Sequence, residues 1–198
     1  MDYKKNLRHY DKTESISFRS TKDKFGSLSN MAGGFPIRVG SYTVRTSEAL
    51  YQALKFPNRV EIQEKIVSMK SPIFAKKISR KHQNDTRQDW NRIRFKVMKL
   101  CIELKLIQNY HKFSTVLIST KDKNIVEYSN KDKIWGASSK DDQFIGVNAQ
   151  GRLLMEIREK VKKYSQQDYQ IDLPKLQNLY FYDIDLIKFV DTNYKTAH

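Results

Sequence analysis

The longest helical pattern in the sequence constrains the fold most strongly. Residues 87–109 carry apolar side chains on two faces of one helix. The two sets of apolar residues are Trp90, Ile93, Val97, Leu100 and Leu104, and Met98, Ile102 and Leu106. A helix with one apolar stripe lies on a surface, whereas a helix with two has to be covered on two sides. The pattern therefore predicts a scaffold helix that other elements pack against.

Shorter patterns on either side of this helix alternate between helix and strand. Helices are predicted at residues 48–56, 72–79 and 150–163, and the first is ended by a proline at position 57. Strands are predicted at 16–18, 115–120 and 125–128, and Gly40-Ser41 is expected to turn a hairpin over 37–44. The mixture predicts an α+β, mainly helical single domain with small β-hairpins or a small sheet.

The charge of the chain changes near its end. Residues 164–198 hold five Asp against three Lys, although the whole chain is strongly basic. Apolar residues such as Leu179, Phe181 and Leu186 make this acidic segment too hydrophobic for a free tail. We therefore expect a domain over residues 1–163 and an acidic C-terminal extension over 164–198 that packs on the core.

The basic balance bears on partners. Lys plus Arg is 37 and Asp plus Glu is 22, which gives a net charge of +15. A surface of that charge attracts polyanions, so a nucleic-acid partner is one interpretation. The other is compositional, because Lys, Asn, Ile and Tyr are all abundant. The sequence leaves both open.

Cysteine and histidine usage limits the kinds of site. The single Cys101 excludes an intramolecular disulfide and lies among apolar residues, which predicts a core position in an intracellular, cytoplasmic protein. The four His are scattered without paired spacing, so no metal site is expected. Since no apolar run approaches eighteen residues, no membrane span is expected.

A polar loop is the first candidate for a functional site. Asp132, Trp135 and Gly136 lie close together, and twelve residues further on Asn148 opens an apolar helix. The backbone N–H groups at a helix start favour an anion such as phosphate. The alternative is a turn-rich connection in which Trp135 is a core plug.

A polar row on the helix at 48–56 is the second candidate. Glu48, Gln52 and Lys55 fall at i, i+4 and i+7 and therefore share one face. An acid, an amide and an ammonium in a row can meet a ligand. The alternative is a solvated face on which Glu48 complements the helix dipole.

Dispersed motifs over residues 15–160 resemble the NADAR, or YbiA-like, N-glycosidase family in order and spacing. Two positions depart from the family pattern, Ser138 in place of Gly and Gln150 in place of Leu. The motifs are Phe25-Gly-Ser-Leu-Ser29-Asn30, Ser47-Glu48-Ala-Leu-Tyr-Gln52-Ala-Leu-Lys55-Phe56, Ser71-Pro72, Ala75-Lys76, Asp89-Trp90, Val97-Met98, Lys105 with Gln108-Asn109, Val126-Glu127, Asp132 with Trp135-Gly136, Gly146-Val-Asn148, and Leu154-Met155.

The resemblance implies hydrolysis of an N-glycosidic bond at C1′ of a ribose 5-phosphate unit, without metal or cofactor. Two substrate classes are implied, the early ribosylamino-pyrimidine intermediates of riboflavin biosynthesis and ADP-ribose on guanine in nucleic acid. The first makes the protein a metabolite damage-control enzyme with a small phosphorylated substrate. A third possibility is a reader of ADP-ribose or nucleic acid, which follows if Ser138 and Gln150 disable catalysis.

The resemblance also assigns roles to residues. Glu48 is expected beside C1′ as electrostatic stabiliser or general base, and Asp132 as second acid. Trp135 is expected to stack on the base. The remaining substrate-binding residues are Asn30, Gln52 and Asn148 through their amides, and Gly136 in the loop. The phosphate is expected at Lys55 or at the helix start near Asn148.

Overall fold

Over residues 6–197, the part of the chain that the computed structural model describes, seven α-helices and eleven short strands follow one another. The prediction of an α+β, mainly helical fold is confirmed. The helices are α1 (Ser47–Ala53), α2 (Val60–Val67), α3 (Pro72–Lys81), α4 (Trp90–Gln108), α5 (Tyr110–Ser119), α6 (Ala149–Lys163) and α7 (Leu186–Asn193). The strands are β1 (Arg8–Asp11), β2 (Ser15–Phe18), β3 (Ile37–Val39), β4 (Tyr42–Val44), β5 (Asn124–Glu127), β6 (Ser138–Lys140), β7 (Gln143–Gly146), β8 (Ile171–Asp172), β9 (Tyr180–Phe181), β10 (Ile184–Asp185) and β11 (Thr196–Ala197).

These elements form two compact units. Residues 30–110 and 166–197 make one, which we call the helical unit, and residues 6–29 and 111–165 make the other, the sheet unit. The predicted division at residue 163 stays a prediction.

Helices α1 to α4 are the frame of the helical unit. Every residue of α1 is buried, because α1 packs against α2, α3 and α4. Thr46 caps α1, since its Oγ1 accepts a hydrogen bond from the Ala49 N–H at 3.1 Å. The sequence pattern did not predict α2, whose first residue follows Arg59, a position without a side-chain cap.

Helix α4 confirms the two-sided apolar pattern. Val97, Leu100 and Leu104 on one face, and Ile102 and Leu106 on the other, have no exposed surface. Core side chains of this kind stabilise a fold by about 1.5–3 kcal/mol each. The long helix is therefore a scaffold that holds the positions of its neighbours.

The predicted hairpin is confirmed as β3 and β4, an antiparallel pair. Gly40 turns it with a φ of +58°, which glycine adopts without strain. At the end of α4, Gln108 accepts from the Arg38 N–H (2.7 Å) and donates to the Arg38 carbonyl (3.0 Å). The hairpin is thereby fastened to the scaffold helix.

Residues 166–197 pack within the helical unit. Tyr169, Ile171, Leu179 and Phe181 are at most 1% exposed. The Tyr169 hydroxyl donates to Glu103 Oε1 of α4 at 2.9 Å. The segment is held by both apolar burial and a buried hydrogen bond.

The sheet unit contains two small sheets. Strands β1, β7 and β6 pair antiparallel in that order, and β2 pairs in parallel with β5. Helix α6 packs on β5. The strands predicted at 16–18 and 125–128 are confirmed as β2 and β5.

The strand predicted at residues 115–120 is wrong, because residues 115–119 belong to helix α5. Phe113 and Leu117, four residues apart, are fully buried, and the Thr115 hydroxyl donates to the His111 carbonyl at 2.6 Å. The β-branched side chains favoured a strand in isolation, but burial at helical spacing decided the outcome.

Candidate functional site

The polar row of the first helix lies inside the helical unit. Glu48 is 5% exposed and Gln52 is 2% exposed. Lys55 follows just after α1 and is partly buried. The row is therefore not a solvated helix face, and these groups must meet other protein groups or a ligand.

Glu48 is held at both its backbone and its carboxylate. Its N–H donates to the Asn30 carbonyl at 3.0 Å, and its Oε1 accepts from Gln52 Nε2 at 2.7 Å. The Asn30 side-chain amide points Nδ2 at Met98 Sδ, 3.0 Å away. Asn30, Glu48 and Gln52 are thus brought together in the helical unit.

Gln52 has unused hydrogen-bonding capacity. Its Nε2 is directed at Glu48, but among the described residues its buried Oε1 has no hydrogen-bond partner. The buried hydroxyl of Ser47, the residue before Glu48, also has no hydrogen-bond partner among the described residues. A buried acceptor without a donor costs about 1–3 kcal/mol. Such groups next to a buried carboxylate indicate a place where a polar ligand completes the set.

Lys55 is surrounded by aromatic rings. Its Nζ lies 5.6 Å from the Trp90 ring and 5.8 Å from the Tyr51 ring, and it donates to Ser79 Oγ at 3.2 Å. The rings of Tyr51 and Trp90 are themselves in contact, with centroids 4.8 Å apart. These rings give the amine an apolar wall that partly excludes water.

The surroundings of Lys55 disfavour its charged form. Burial above all, with a smaller contribution from the neighbouring cations Lys76, Arg80 and Arg94, lowers the pKa of Lys55 to about 8, against the opposing charge of Glu48. Near neutral pH the amine is therefore mainly ammonium, with a minor fraction of free amine that increases as the pH approaches this value.

The other titratable groups around Glu48 stay protonated. Burial, and then the Glu48 charge, raise the pKa of both Tyr51 and Cys101. Cys101 has no exposed surface. It is a core residue, as predicted, and not a nucleophile.

The polar loop lies in the sheet unit, and the carboxylate of Asp132 holds the loop backbone in place. Asp132 Oδ1 accepts hydrogen bonds from the N–H groups of Ile134 (3.1 Å) and Trp135 (3.0 Å). The Asp132 N–H in turn donates to Ser129 Oγ at 3.0 Å. This arrangement is an Asx-type turn, in which a carboxylate replaces a missing backbone partner.

Gly136 is required by a close approach of two chain segments. A Cβ at this position would lie 2.3 Å from the Glu127 carbonyl oxygen. The Ala137 N–H donates to that same oxygen at 2.9 Å. Because glycine has no side chain, the loop can pack directly against the end of β5.

Both the oxygen and the nitrogen of the Asn148 side-chain amide form hydrogen bonds with the backbone of β5. Oδ1 accepts from the Glu127 N–H at 3.1 Å, and Nδ2 donates to the Ile125 carbonyl at 2.8 Å. Its backbone is left-handed, with a φ of +49°, and the residue has no exposed surface. Asn148 therefore fixes the start of α6 to the end of β5.

The N–H groups at the start of α6 are also engaged. Those of Ala149 and Gln150 each donate at 3.0 Å, to the Ile134 and Trp135 carbonyls respectively. These two N–H groups bond to the loop backbone. They are therefore not available to bind the anion that was predicted at this helix start. Trp135 itself is half-buried.

The two positions that depart from the family pattern are both satisfied locally. The Ser138 hydroxyl donates to the Ile145 carbonyl at 3.3 Å. Gln150 is fully buried, and its Nε2 lies 3.5 Å from the Leu28 carbonyl. Neither polar side chain is left without a partner.

The predicted residues therefore form two local groups. Asn30, Glu48, Gln52 and Lys55 meet in the helical unit; Asp132, Trp135, Gly136 and Asn148 meet in the sheet unit. Sequence reasoning missed the aromatic wall and the cations around Lys55. The cations had a signal in the sequence, because Lys76 and Arg80 are four residues apart and share one face of α3.

Two other features are absent from residues 6–197. No group of three His, Cys, Asp or Glu side chains there is placed to hold a metal ion. Within the same residues, no helix combines the length and the apolar character needed to cross a membrane.

Comparison with known proteins gives one family. The family model of the NADAR domain matches residues 17–162. N-glycosidase YbiA of Escherichia coli is 32% identical over 155 residues, which is 78% of this chain and 93% of that protein. The NMR structure of E. coli YbiA has a TM-score of 0.64, with 75% of this chain and 84% of that chain covered at 32% identity.

Two further relatives carry related names. A riboflavin biosynthesis protein of Vibrio vulnificus is 32% identical over 154 residues, which is 77% of this chain and 40% of that longer protein. An N-glycosidase of Nostoc punctiforme is 27% identical over 150 residues, 75% of this chain and 93% of that protein.

Proposed function

Because the chain belongs to the NADAR family and is an N-glycosidase, we propose that its substrates are ribosylamine phosphates, specifically the early ribosylamino-pyrimidine intermediates of riboflavin biosynthesis. The Vibrio vulnificus relative that is named a riboflavin biosynthesis protein supports this substrate class. The enzyme would remove these reactive intermediates as metabolite damage control.

One observation carries the proposal, the buried row of Glu48, Gln52 and Lys55. Breaking a C1′–N bond develops positive charge on the ribose, and a fixed carboxylate stabilises that charge. Glu48 is buried and oriented by Gln52 at 2.7 Å. The unpartnered Oε1 of Gln52 is an acceptor for a ribose hydroxyl. We therefore assign Glu48 to C1′ and Gln52, with Asn30, to the sugar.

Lys55 is better suited to the reacting centre than to phosphate. With a pKa of about 8, its free amine can attack C1′ while the carboxylate of Glu48 takes its proton and returns it to the leaving nitrogen. The bond formed is Nζ–C1′ and the bond broken is C1′–N of the substrate. Water then cleaves the adduct, which restores the amine and releases the ribose 5-phosphate.

The substrate phosphate is assigned to the cations around Lys55. Lys76, Arg80 and Arg94 are close enough to lower its pKa. Among the described residues, the buried Nε of Arg94 has no hydrogen-bond partner. A phosphate that meets these groups satisfies Arg94 and compensates the excess positive charge.

For the loop, we propose a substrate contact through the Trp135 ring, which offers a flat face to a heterocycle. Asp132, Gly136 and Asn148 have a positioning role in this proposal. Their carboxylate, small size and amide respectively maintain the loop and the start of α6.

The second candidate function is removal of ADP-ribose from guanine in DNA or RNA. The net charge of +15 favours it, because a nucleic acid is a polyanion. It uses the same chemistry, since a ribose carbon is again released from an amine of a guanine-like base.

The test is hydrolysis of a ribosylamino-pyrimidine phosphate and of ADP-ribosylated guanine in DNA, measured side by side. The wild type is compared with Glu48→Gln and with Glu64→Gln, a change of an exposed glutamate on α2. We expect cleavage of the small substrate by the wild type and Glu64→Gln but not by Glu48→Gln. Cleavage of the DNA substrate alone would favour the second candidate. Binding of ADP-ribose without any cleavage would favour a reader.

The covalent step has its own test. Borohydride reduces the open-chain imine that a ribosyl-lysine adduct forms, and mass spectrometry then finds the ribosyl mass on the peptide that contains Lys55. The role of Lys55 would be contradicted if the wild type turned over substrate without a trapped adduct and the Lys55→Met variant remained active.

A further inference from the structure

We propose that a basic groove in the helical unit binds the phosphodiester backbone of a single-stranded nucleic acid. The groove lies between the start of α4 and residues 175–178 and has a volume of about 360 Å³. That volume accommodates one backbone segment and not a duplex. The inference rests on the proposed N-glycosidase function and gives its second candidate substrate a place to bind.

The charges that line the groove are unevenly balanced. Arg87, Arg92, Lys96 and Lys175 face a single carboxylate, Asp89, so the lining carries a formal charge of 4 − 1 = +3. Arg87 is committed to that carboxylate, with Nε at 2.6 Å from Oδ1.

Three cations remain for a ligand. Arg92 has an 82% exposed side chain and only a distant approach to Asp89, 3.9 Å. Lys96 and Lys175 are exposed. Arg92 and Lys96 are four residues apart and share one face of α4. Three exposed cations around one polar groove suit a chain of several phosphates better than a single anion.

The far side of the groove is held in place by two tethers. Lys99 of α4 forms an ion pair with Asp172. Arg87 donates to the carbonyls of Gln177 (3.0 Å) and Asn178 (2.7 Å). Lys175 lies between these anchors, so it is kept beside α4 and does not lie on a free tail.

The groove adjoins the row that carries the chemistry. The Arg87 N–H donates to the Lys55 carbonyl at 2.9 Å. Trp90, three residues further, contributes the ring over the Lys55 amine. A strand that lies in the groove therefore brings a neighbouring nucleotide toward Lys55.

Four of the nine residues that line the groove lie outside the matched family domain. That domain ends at residue 162, whereas Lys175 and the carbonyls bound by Arg87 follow it. The C-terminal segment thus adds a polyanion site to the helical unit of this chain.

The test uses a triple variant, Arg92→Glu, Lys96→Glu and Lys175→Glu, with a matched control, Lys65→Glu, Lys70→Glu and Lys188→Glu. The control changes three exposed lysines of the same unit by the same total charge. The probe is a fluorescein-labelled single-stranded oligonucleotide, and anisotropy gives its Kd between 50 and 200 mM salt.

We expect the groove variant to weaken strand binding at low salt by at least about tenfold and to reduce the slope of log Kobs against log salt by about 2, since each lost single-strand phosphate contact contributes about 0.7. The control should change Kd by less than about threefold. Equal losses in the two variants, or wild-type protein that does not bind the strand at 50 mM salt, would overturn the groove.

Hydrolysis measured on the same proteins separates the two proposals. The groove variant should cleave a small ribosylamine phosphate like the wild type, and Glu48→Gln should still bind the strand. A fully active Glu48→Gln would defeat the proposed function and leave the groove standing. A groove variant with a raised KM for the small substrate and unchanged strand affinity would assign the groove to a small phosphate and overturn this inference.

Discussion

The row on α1 and the loop at 132–136 hold the same kinds of residue but use them differently. In the row, Glu48 is fixed by Gln52, and Gln52 Oε1 is buried with no partner among the described residues. Asp132 in the loop, and Asn148 at the start of the following helix α6, direct their polar atoms at backbone groups of their own unit.

This difference teaches that residue type does not separate a reacting group from a scaffold group. An acid and an amide appear in both regions. Where backbone groups already satisfy the hydrogen bonds of a polar side chain, we expect its mutation to reduce stability. Where a buried polar side chain keeps unused hydrogen-bonding capacity, we expect its mutation to reduce activity.

The largest expected effect is on activity and comes from Glu48→Gln. Removing the negative charge at C1′ should lower kcat/KM by about 10³-fold. Gln at this position can still accept from Gln52, so the free energy of unfolding should change by less than about 1 kcal/mol. Steady-state kinetics and urea unfolding measure the two. A stability loss as large as the activity loss would remove the contrast between row and loop.

Asn148→Ala should have the opposite profile. It leaves the Glu127 N–H and the Ile125 carbonyl without their partner and puts alanine at a φ of +49°. The free energy of unfolding should fall by about 3 kcal/mol. Asn91→Ala, on the exposed side of α4, should change it by less than about 0.5 kcal/mol. A stable Asn148→Ala protein with no activity would instead make Asn148 a substrate ligand.

The pH dependence of stability sharpens the comparison at Lys55. In the unfolded chain this lysine keeps its proton up to about 10.5, and in the folded chain it loses it above about 8. Between these values the unfolded state binds more protons, so stability rises with pH. Lys55→Met should remove a rise of at most about 3 kcal/mol, less where water screens the amine. Urea unfolding at pH 7.5 and 10 measures this, and Lys70→Met, at an exposed site, should keep the full rise.

The smallest expected effect decides between the two interpretations of Trp135. If the ring stacks on the base, Trp135→Ala should raise KM about tenfold with little change in kcat, and Trp135→Phe should recover most of it. If the ring is a core plug, KM should stay constant and thermal unfolding should show a loss of about 3 kcal/mol or more. Together, KM and Tm place Trp135 with the row or with the scaffold.

Regular patterns were the part of the fold that could be predicted. The two-sided α4 and the hairpin around Gly40 follow from side-chain period and a turn glycine. Residues 115–120 were misassigned because Thr, Val and Ile favour strands locally, while Phe113 and Leu117 are buried at helical spacing. Helix α2 was missed because Arg59 gives no capping signal. Local preferences of this size are overridden by burial.

The sequence by itself determined the family, the scaffold helix and the polar row Glu48, Gln52 and Lys55, because all three are written in spacing along one chain. Only the tertiary structure decided which polar atoms are satisfied. The partners of Asn148 come from β5, more than twenty residues away, and the cations that lower the pKa of Lys55 come from α3 and α4. Hydrogen bonds and electrostatic fields depend on distance in space, which sequence separation does not give.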